Sequence, residues 1–397
     1  MTLKKNMKTL KVGIIGFGGS GIAQYFHFYN RIDTEVVVIY DIKNESLNRA
    51  SQLIAKNGHK SIILTTKLED FFSNTIDIVA ICSPDNTHAR YIEICVGNKK
   101  HVICEKPLCD SIEDCKKLYQ LSIQNPNLVI AVQHQMRYIP LFEKVKQIID
   151  SGDLGDISYI EGFYVHNLKE RASLYDNWRF NDNATPLVYC GCHFVDLFRW
   201  LLNEEVVEIS AMANNISFID YPESDLNVVQ LRFKSGIIAN ITIAFGAGKP
   251  QDHSIKVYGT KKCIENNLLI DRKGDSKILI NPNLKLMLNK KQLNLKAKIL
   301  GTILLINASI FGFCFYILKN VLKLPSEYIL YSNPIAPYEH ELAVTYSINE
   351  FINAIIEKRK PICNIDEGIK TVITCLAGVE SYRSGKKVQI DINSYKF

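Results

Sequence analysis

Six residues near the start of the chain have the types and spacing of a phosphate-binding loop. Residues 16–21 read GFGGSG, directly after a short apolar run and before a helical pattern. In such a loop the first glycine permits a tight turn, the second lets the backbone approach a pyrophosphate, and the third lets helix and strand pack closely. We therefore predict a dinucleotide site formed by Gly16, Gly18, Gly19, Ser20 and Gly21.

An acidic residue stands where such a site would contact a ribose. Asp41 ends the second predicted strand, twenty residues after Gly21. A carboxylate at this position accepts hydrogen bonds from the ribose diol and repels a 2′-phosphate. The predicted cofactor is therefore NAD, and NADP is disfavoured.

Two further segments follow predicted strands. Residues 82–88 (CSPDNTH) come after an apolar run at 76–81, and residues 104–107 (CEKP) come at the end of the next apolar run, at 102–104. Open α/β sheets form their ligand crevice at the carboxyl ends of the strands. The cofactor contacts predicted at this edge are Ser83, Pro84, His88, Glu105 and Lys106.

The elements that must hold these residues alternate between strand and helix. From residue 11 to about 133, short runs rich in Val and Ile alternate with helical patterns, which is typical of a parallel sheet. We predict strands at 12–15, 36–40, 76–81, 102–104 and 128–132, and helices at 45–56, 87–97 and 112–123, the last capped by Ser111. Residues 1–136 are thus predicted to form a doubly wound, Rossmann-type α/β domain.

The pattern changes in residues 137–397, which are predicted to form a second, α+β domain. A helix at 140–150 is followed by longer alternating strands at 157–165, 206–213, 228–233, 237–245 and 254–258. Turns at 234–236 and 259–261 look like hairpin connections, so this sheet is expected to be largely antiparallel. Two late helices are predicted at 341–358 and 366–384, the second capped by Asp366 and ended by Gly385.

Composition limits the possible functions. The 397 residues are 47% apolar and 22% charged, as in ordinary globular proteins, and the net charge of +6 is not gathered in a basic stripe. We therefore expect no nucleic-acid partner. Eleven irregularly spaced cysteines indicate a reducing, cytoplasmic location. Residues 190–193 (CGCH) lack a second ligand pair at zinc spacing, so no metal is predicted.

Together these motifs resemble the Gfo/Idh/MocA oxidoreductases. Residues 104–107, 135–140 (QMRYIP), 176–179 (DNWR) and 191–196 (GCHFVD) carry the resemblance, which covers most of the chain outside roughly 270–335. It implies a Rossmann domain followed by a domain with an open-faced sheet, often paired into homodimers or homotetramers. It also implies NAD-dependent chemistry on a small sugar-like substrate, namely a sugar, an inositol or a nucleotide-sugar.

The resemblance further implies roles for individual residues. Lys106 is expected near the substrate hydroxyl and the nicotinamide, and His193 in proton transfer, because hydride removal from a carbinol carbon needs a base for the hydroxyl proton. Many members carry Asp four residues before this His, where the present chain has Tyr189. Either Tyr189 shares the catalytic role with His193, or catalysis falls mainly on Lys106 and His193, or the chain is inactive.

Other side chains are candidate substrate contacts, each with a structural role as the alternative. Arg137 and Tyr138 follow the strand predicted at 128–132, and Trp178 and Arg179 lie in the DNWR motif. His193 belongs to the same group. Three functions remain open: a dehydrogenase that produces NADH, a glycosidase that uses transient oxidation by NAD without net NADH, and a non-catalytic NAD-binding protein tethered to a membrane or partner.

One apolar segment stands apart from the family pattern. The twenty residues from Ile299 to Leu318 carry no charge, and lysines flank them on both sides within 296–323. Such a stretch is compatible with a peripheral or re-entrant membrane contact, with a buried or interface helix, or with a bilayer span. Membrane contact is slightly favoured because of the flanking lysines.

Overall fold

The first sheet of the computed structural model consists of six parallel strands. The structure describes residues 9–58, 61–168, 185–248, 252–280 and 337–396. The strands are β1 (Leu10–Ile15), β2 (Thr34–Tyr40), β3 (Ile63–Thr65), β4 (Ile78–Ile81), β5 (His101–Cys104) and β6 (Ile130–Val132). Their order in the sheet is β3-β2-β1-β4-β5-β6, so the chain reverses direction of winding between β1 and β4. This is the predicted doubly wound topology.

Helices cover both faces of this sheet. They are α1 (Gly19–Tyr29), α2 (Asn44–Lys56), α3 (Leu68–Phe72), α4 (His88–Gly97) and α5 (Ile112–Gln124). All four residues of β4 are buried, as expected for a strand covered on both sides. The predicted cap of α5 is confirmed, since the Ser111 side chain accepts a hydrogen bond from the Asp114 amide at 3.1 Å.

The second sheet has nine strands and is mostly antiparallel. Helices α6 (Pro140–Asp150) and α7 (Cys192–Leu202) pack on its inner face. Its strands are β7 (Ile157–Val165), β8 (Val206–Asn214), β9 (Leu226–Phe233), β10 (Ile238–Ala244), β11 (Asp252–Gly259), β12 (Lys262–Glu265), β13 (Leu268–Asp271), β14 (Ser276–Ile278) and β15 (Val388–Gln389). In the order β14-β13-β12-β11-β7-β10-β9-β8-β15, the β7–β10 pair is parallel and the other described pairs are antiparallel.

Two helices from the end of the chain connect the two sheets. Helix α8 (Pro337–Ile356) packs on the first sheet, where Phe351 joins the core around β1 and β2. Helix α9 (Ile365–Ser384) contributes Ile369 to the other face of that sheet and Val379 to the core of the second sheet. The second domain therefore supplies part of the first domain's cover, and the division at residues 136 and 137 stays a prediction.

Some sequence predictions are corrected. The cap of α9 is Asn364, whose side chain accepts from the amides of Asp366 and Glu367, and not Asp366 itself. The sequence analysis predicts no strand at five short strands of the structure, namely β3, β12, β13, β14 and β15. The segment 299–318 lies outside the described residues, and within the described ranges no helix is long and apolar enough to span a membrane.

Candidate active site

The glycine-rich loop has the close approaches that its sequence predicts. Gly16 has φ of +87°, a conformation that side chains disfavour, and a Cβ there would lie 2.7 Å from the Cys82 carbonyl oxygen. A Cβ on Gly21 would collide with the carbonyl of Gly16. The first and last glycines are thus required by packing between β1, β4 and α1.

The two middle glycines face open space instead. A Cβ on Gly18 or Gly19 would meet no protein atom within 4 Å. Gly18 caps α1 without a side-chain hydrogen bond, and Ser20 lies in the first helical turn. The backbone amides of this turn are therefore available to an anion, and the loop fits the pyrophosphate of a dinucleotide.

Asp41 lies beside this loop and is held in place by it. The side chain follows β2 and is buried. Its Oδ2 accepts a hydrogen bond from the Phe17 amide at 2.8 Å, and its Oδ1 accepts one from the Lys43 amide at 2.8 Å. The carboxylate is therefore fixed next to the loop, and its contact with a ribose stays a prediction.

The segment after β4 divides into a surface part and a buried part. Ser83 is half-buried, and its Oγ accepts a hydrogen bond from Thr87 at 2.7 Å, in the turn that follows Pro84. His88 is fully buried, with its ring nitrogens 2.7 Å from the Pro107 carbonyl oxygen and 2.9 Å from the Ser83 carbonyl oxygen. His88 therefore links two loops, and its predicted contact with the cofactor stays a prediction.

Lys106 projects from the end of β5 toward α7. Its Nζ donates a hydrogen bond to the Tyr189 carbonyl oxygen at 2.7 Å and lies 4.3 Å from the centroid of the Tyr189 ring. Burial lowers the pKa of Lys106, but Cys192, Cys190, Asp85 and Glu105 outweigh it and raise the pKa above its ordinary value. The ammonium therefore stays charged at neutral pH.

Glu105 precedes this lysine and is half-buried. Burial raises the pKa of its carboxyl above the ordinary value, although nearby Lys106 and His88 oppose the shift. Glu105 lies next to the end of β4, where its amide donates a hydrogen bond to the Ile81 carbonyl oxygen at 2.9 Å.

Tyr189 and His193 do not lie on an uninterrupted α-helix. A π-helical turn, Leu187–Gly191, precedes α7, and Tyr189 belongs to this turn. Turns of this kind are rare and are found mostly as single insertions, frequently at functional sites. Residues four apart share a face in a regular α-helix, so this local widening is a feature that only the structure shows.

His193 lies in an aromatic cluster that sequence reasoning missed. Its ring stacks on Tyr164 with centroids 5.6 Å apart and planes 9° apart, and the Tyr164 ring lies 4.4 Å from His253. Tyr164 and His253 face each other across the antiparallel β7–β11 pair. The pairing of distant strands brings them to His193, and no local motif signals it.

Arg137 and Tyr138 are both buried. The guanidinium of Arg137 makes two 2.7 Å hydrogen bonds to Asp196 and one of 2.9 Å to Glu367. Tyr138 is buried in the core of the second domain. These contacts favour the structural alternative for both residues, and their substrate contacts stay a prediction.

Two predicted contacts cannot be placed. Trp178 and Arg179 lie outside the described residues. Among the residues that are described, no group of three or more His, Cys, Asp or Glu side chains could hold a metal ion.

Comparison with known proteins decides the family. Residues 10–134 match the family described as "Oxidoreductase family, NAD-binding Rossmann fold", and residues 142–265 match the "GFO/IDH/MocA C-terminal domain". The chain belongs to the Gfo/Idh/MocA oxidoreductases. As a member of that family it is an NAD-binding oxidoreductase, which confirms the resemblance and both predicted fold classes.

Similar proteins include several named inositol dehydrogenases. The chain is 23% identical to an inositol 2-dehydrogenase of Rubrobacter xylanophilus over 66% of this chain and 73% of the relative. It is 25% identical to a myo-inositol 2-dehydrogenase of Thermotoga maritima over 67% of this chain and 80% of the relative.

The fold is also shared with solved structures. The myo-inositol 2-dehydrogenase of Lactobacillus plantarum is 20% identical, with a TM-score of 0.74, and the alignment covers 97% of this chain and 100% of the other. The scyllo-inositol dehydrogenase of Lactobacillus casei, solved with NAD(H) and scyllo-inositol, is 18% identical, with a TM-score of 0.73 and coverage of 98% and 100%. At these identities the likeness concerns the fold.

Proposed function

We propose that this protein is an NAD-dependent dehydrogenase that oxidises a carbinol carbon of a sugar, an inositol or a nucleotide-sugar, or runs the reverse reaction. One observation carries the proposal. Lys106 contacts Tyr189, four residues before His193, at the same sheet edge that holds the glycine-rich loop and Asp41. This shared location supports the proposal that these residues bind the cofactor and transfer the proton.

The choice of NAD over NADP rests on Asp41. Its carboxylate is held beside the loop by the Phe17 amide, so it is suited to accept hydrogen bonds from a ribose diol. A 2′-phosphate in the same place would bring two negative charges together. When bound, NAD supplies the hydride acceptor of the reaction.

Lys106 and His193 divide the remaining work. Because the pKa of Lys106 is raised, its ammonium is a poor base at neutral pH, and it is suited to orient the substrate hydroxyl and to stabilise negative charge on its oxygen. His193 supplies the imidazole that takes the hydroxyl proton. The base is held in orientation by stacking on Tyr164.

Tyr189 has a supporting role in this proposal. Its ring and its carbonyl oxygen both contact the Lys106 ammonium, at 4.3 Å from the ring centroid and at 2.7 Å from the oxygen. A ring face attracts a cation without carrying a charge. The aromatic side chain therefore holds the ammonium where related enzymes are expected to use an aspartate.

The test is incubation of the NAD-loaded protein with a panel of sugars, inositols, nucleotide-sugars and glycosides, with NADH absorbance and product analysis. Substrate-dependent NADH together with an oxidised product supports the proposal. Glycoside cleavage without net NADH would contradict it and support the glycosidase hypothesis. If neither NADH nor a product is detected, the hypothesis of a non-catalytic NAD-binding protein is supported instead. Lys106→Met is the inactive reference, and Lys116→Met, at an exposed position on α5, is its matched control.

We also propose that the protein forms homodimers or homotetramers through the outer face of its second sheet. Met212 on β8 and Val228 on β9 are paired in register, and both are exposed, Met212 at 78%. An apolar pair on an uncovered sheet face gains free energy when a second copy covers it. The test compares the oligomeric state of Met212→Lys with that of the wild type by light scattering, and an unchanged assembly would contradict this arrangement.

A further inference from the structure

Two buried histidines besides His193, namely His88 and His134, lie near Lys106, and they differ in the hydrogen bonds of their ring nitrogens. His88 has both ring nitrogens within hydrogen-bond distance of carbonyl oxygens. His134 is 1% exposed, yet neither of its ring nitrogens has a hydrogen-bond partner among the described residues. Buried polar groups are rarely left without a partner, and each exception calls for an explanation such as a bound water or ligand.

His134 lies at the edge of the first sheet where the carboxyl ends of the strands meet. It follows β6, which pairs in parallel with β5, and the amide of the preceding Gln133 donates to the Cys104 carbonyl oxygen at 2.8 Å. His134 therefore stands beside Lys106 at the ends of two neighbouring strands. The charged groups that act on its ring include Lys106 and Asp196.

The surroundings keep this imidazole neutral. The pKa of His134 is lowered to about 4, mainly by burial; Asp196 opposes this shift, and Arg137, Lys106 and Arg199 add to it. A neutral imidazole has one N–H donor and one lone-pair acceptor. A hydroxyl group can accept from the N–H nitrogen or donate to the lone-pair nitrogen, so it is a suitable partner for either of the two ring nitrogens.

A purely structural role does not account for His134. A structural histidine holds other groups in place, as His88 holds the Ser83 and Pro107 carbonyls, whereas the ring nitrogens of His134 hold no group in the described part of the chain. Leaving buried polar atoms without partners costs stability, and an apolar side chain of similar shape would avoid that cost. Buried polar atoms that lack hydrogen-bond partners are features expected at functional sites.

We propose that His134 is a positioning residue that hydrogen-bonds a hydroxyl group next to Lys106: a bound water in the free enzyme and a substrate hydroxyl in the complex. For the substrate this inference rests on the proposed function. In that role His134 orients the hydroxyl group beside the Lys106 ammonium, while His193 remains the base.

The first test compares His134→Leu with His88→Leu in the NAD-loaded protein. We expect the melting temperature of His134→Leu to equal or exceed that of the wild type, and that of His88→Leu to fall by about 4 °C or more. With the panel substrate that the wild type oxidises fastest, His134→Leu should lose about tenfold or more in kcat/KM while its NAD affinity is unchanged. His134→Asn, which keeps a donor and an acceptor, should recover part of the loss.

The second test needs no variant. A crystal structure of the NAD-loaded wild type should show an ordered oxygen about 2.6–3.2 Å from a ring nitrogen of His134, and a complex with the panel substrate should replace that water by a substrate hydroxyl. An empty, dry environment, or a His134→Leu protein that melts lower but turns over normally, would overturn the inference. If the wild type produces no NADH with any substrate, the proposed function fails, while the crystal structure still decides the water site.

Discussion

Replacing Tyr189 tests how the charge of Lys106 is held in place. The ammonium lies 4.3 Å from the ring centroid, inside the ~6 Å range of cation–π attraction. In a partly desolvated site that attraction is worth about 1–2 kcal/mol. Since about 1.4 kcal/mol is tenfold in rate, losing it should lower kcat by about 5- to 30-fold in Tyr189→Leu. The backbone carbonyl that accepts from Lys106 is unchanged by the substitution.

The matched variant Tyr189→Phe keeps the ring face and removes the hydroxyl. We expect its kcat to stay within about threefold of the wild type, because the attraction resides in the ring. Initial rates of NADH formation measure both variants, and NAD titration with circular dichroism checks that both are folded and loaded. If Phe loses as much activity as Leu, the phenol relays a proton; if Leu loses nothing, the ring does not position Lys106. Either result refutes the reasoning.

Three further predictions concern the cofactor, the ammonium and a buried ion pair. Asp41→Asn should shift the ratio of NADP to NAD affinity upward by about a hundredfold in fluorescence titrations, because charges ~5 Å apart at an effective dielectric of ~20 repel by about 3 kcal/mol; an unchanged ratio would contradict the ribose assignment. Lys106→Met should lower kcat by about 10²- to 10³-fold with NAD affinity unchanged, as for loss of a preorganised donor, and near-normal turnover would reject its role. Asp196→Asn should cost about 3–5 kcal/mol in urea unfolding at neutral pH, because the substitution leaves the buried Arg137 charge poorly compensated. Burial raises the pKa of Asp196, but Arg137 outweighs it and lowers the pKa below its ordinary value. The stability that the ion pair contributes is therefore present above about pH 4 and is lost as the pH falls further. If the difference in free energy of unfolding between variant and wild type narrowed at higher pH, that sign would be contradicted.

The sequence predicts local elements well where one strong pattern sets them. Helix α6 begins at Pro140 and ends at Asp150 as predicted, since Pro favours a first helical position and the apolar spacing continues to Ile148. Strand β7 covers 157–165 as predicted. Short strands such as β3 and β15 escape prediction because two or three residues carry too little pattern and are held by their neighbours in the sheet.

Roles that depend on the surroundings of a side chain cannot be read from the sequence in this way. Arg137 has the same motif position whether it contacts a substrate or an ion pair, and only the approach of α7 and α9 shows that Asp196 and Glu367 occupy its guanidinium. His88 likewise becomes a link between loops because Pro107 comes within reach across the sheet edge.

What the sequence by itself determined is the local geometry of the predicted nucleotide-binding half of the site. A turn that requires glycine, a helix that begins directly after it and an acid at the end of the next strand are constraints between residues close in the chain, so the places of Gly16, Gly21 and Asp41 could be predicted from spacing alone. The tertiary structure decided the other half. The contact of Lys106 with Tyr189 and the stacking of His193 on Tyr164 join segments far apart in sequence, and their geometry is set by how the two sheets and α7 pack, which no local pattern encodes.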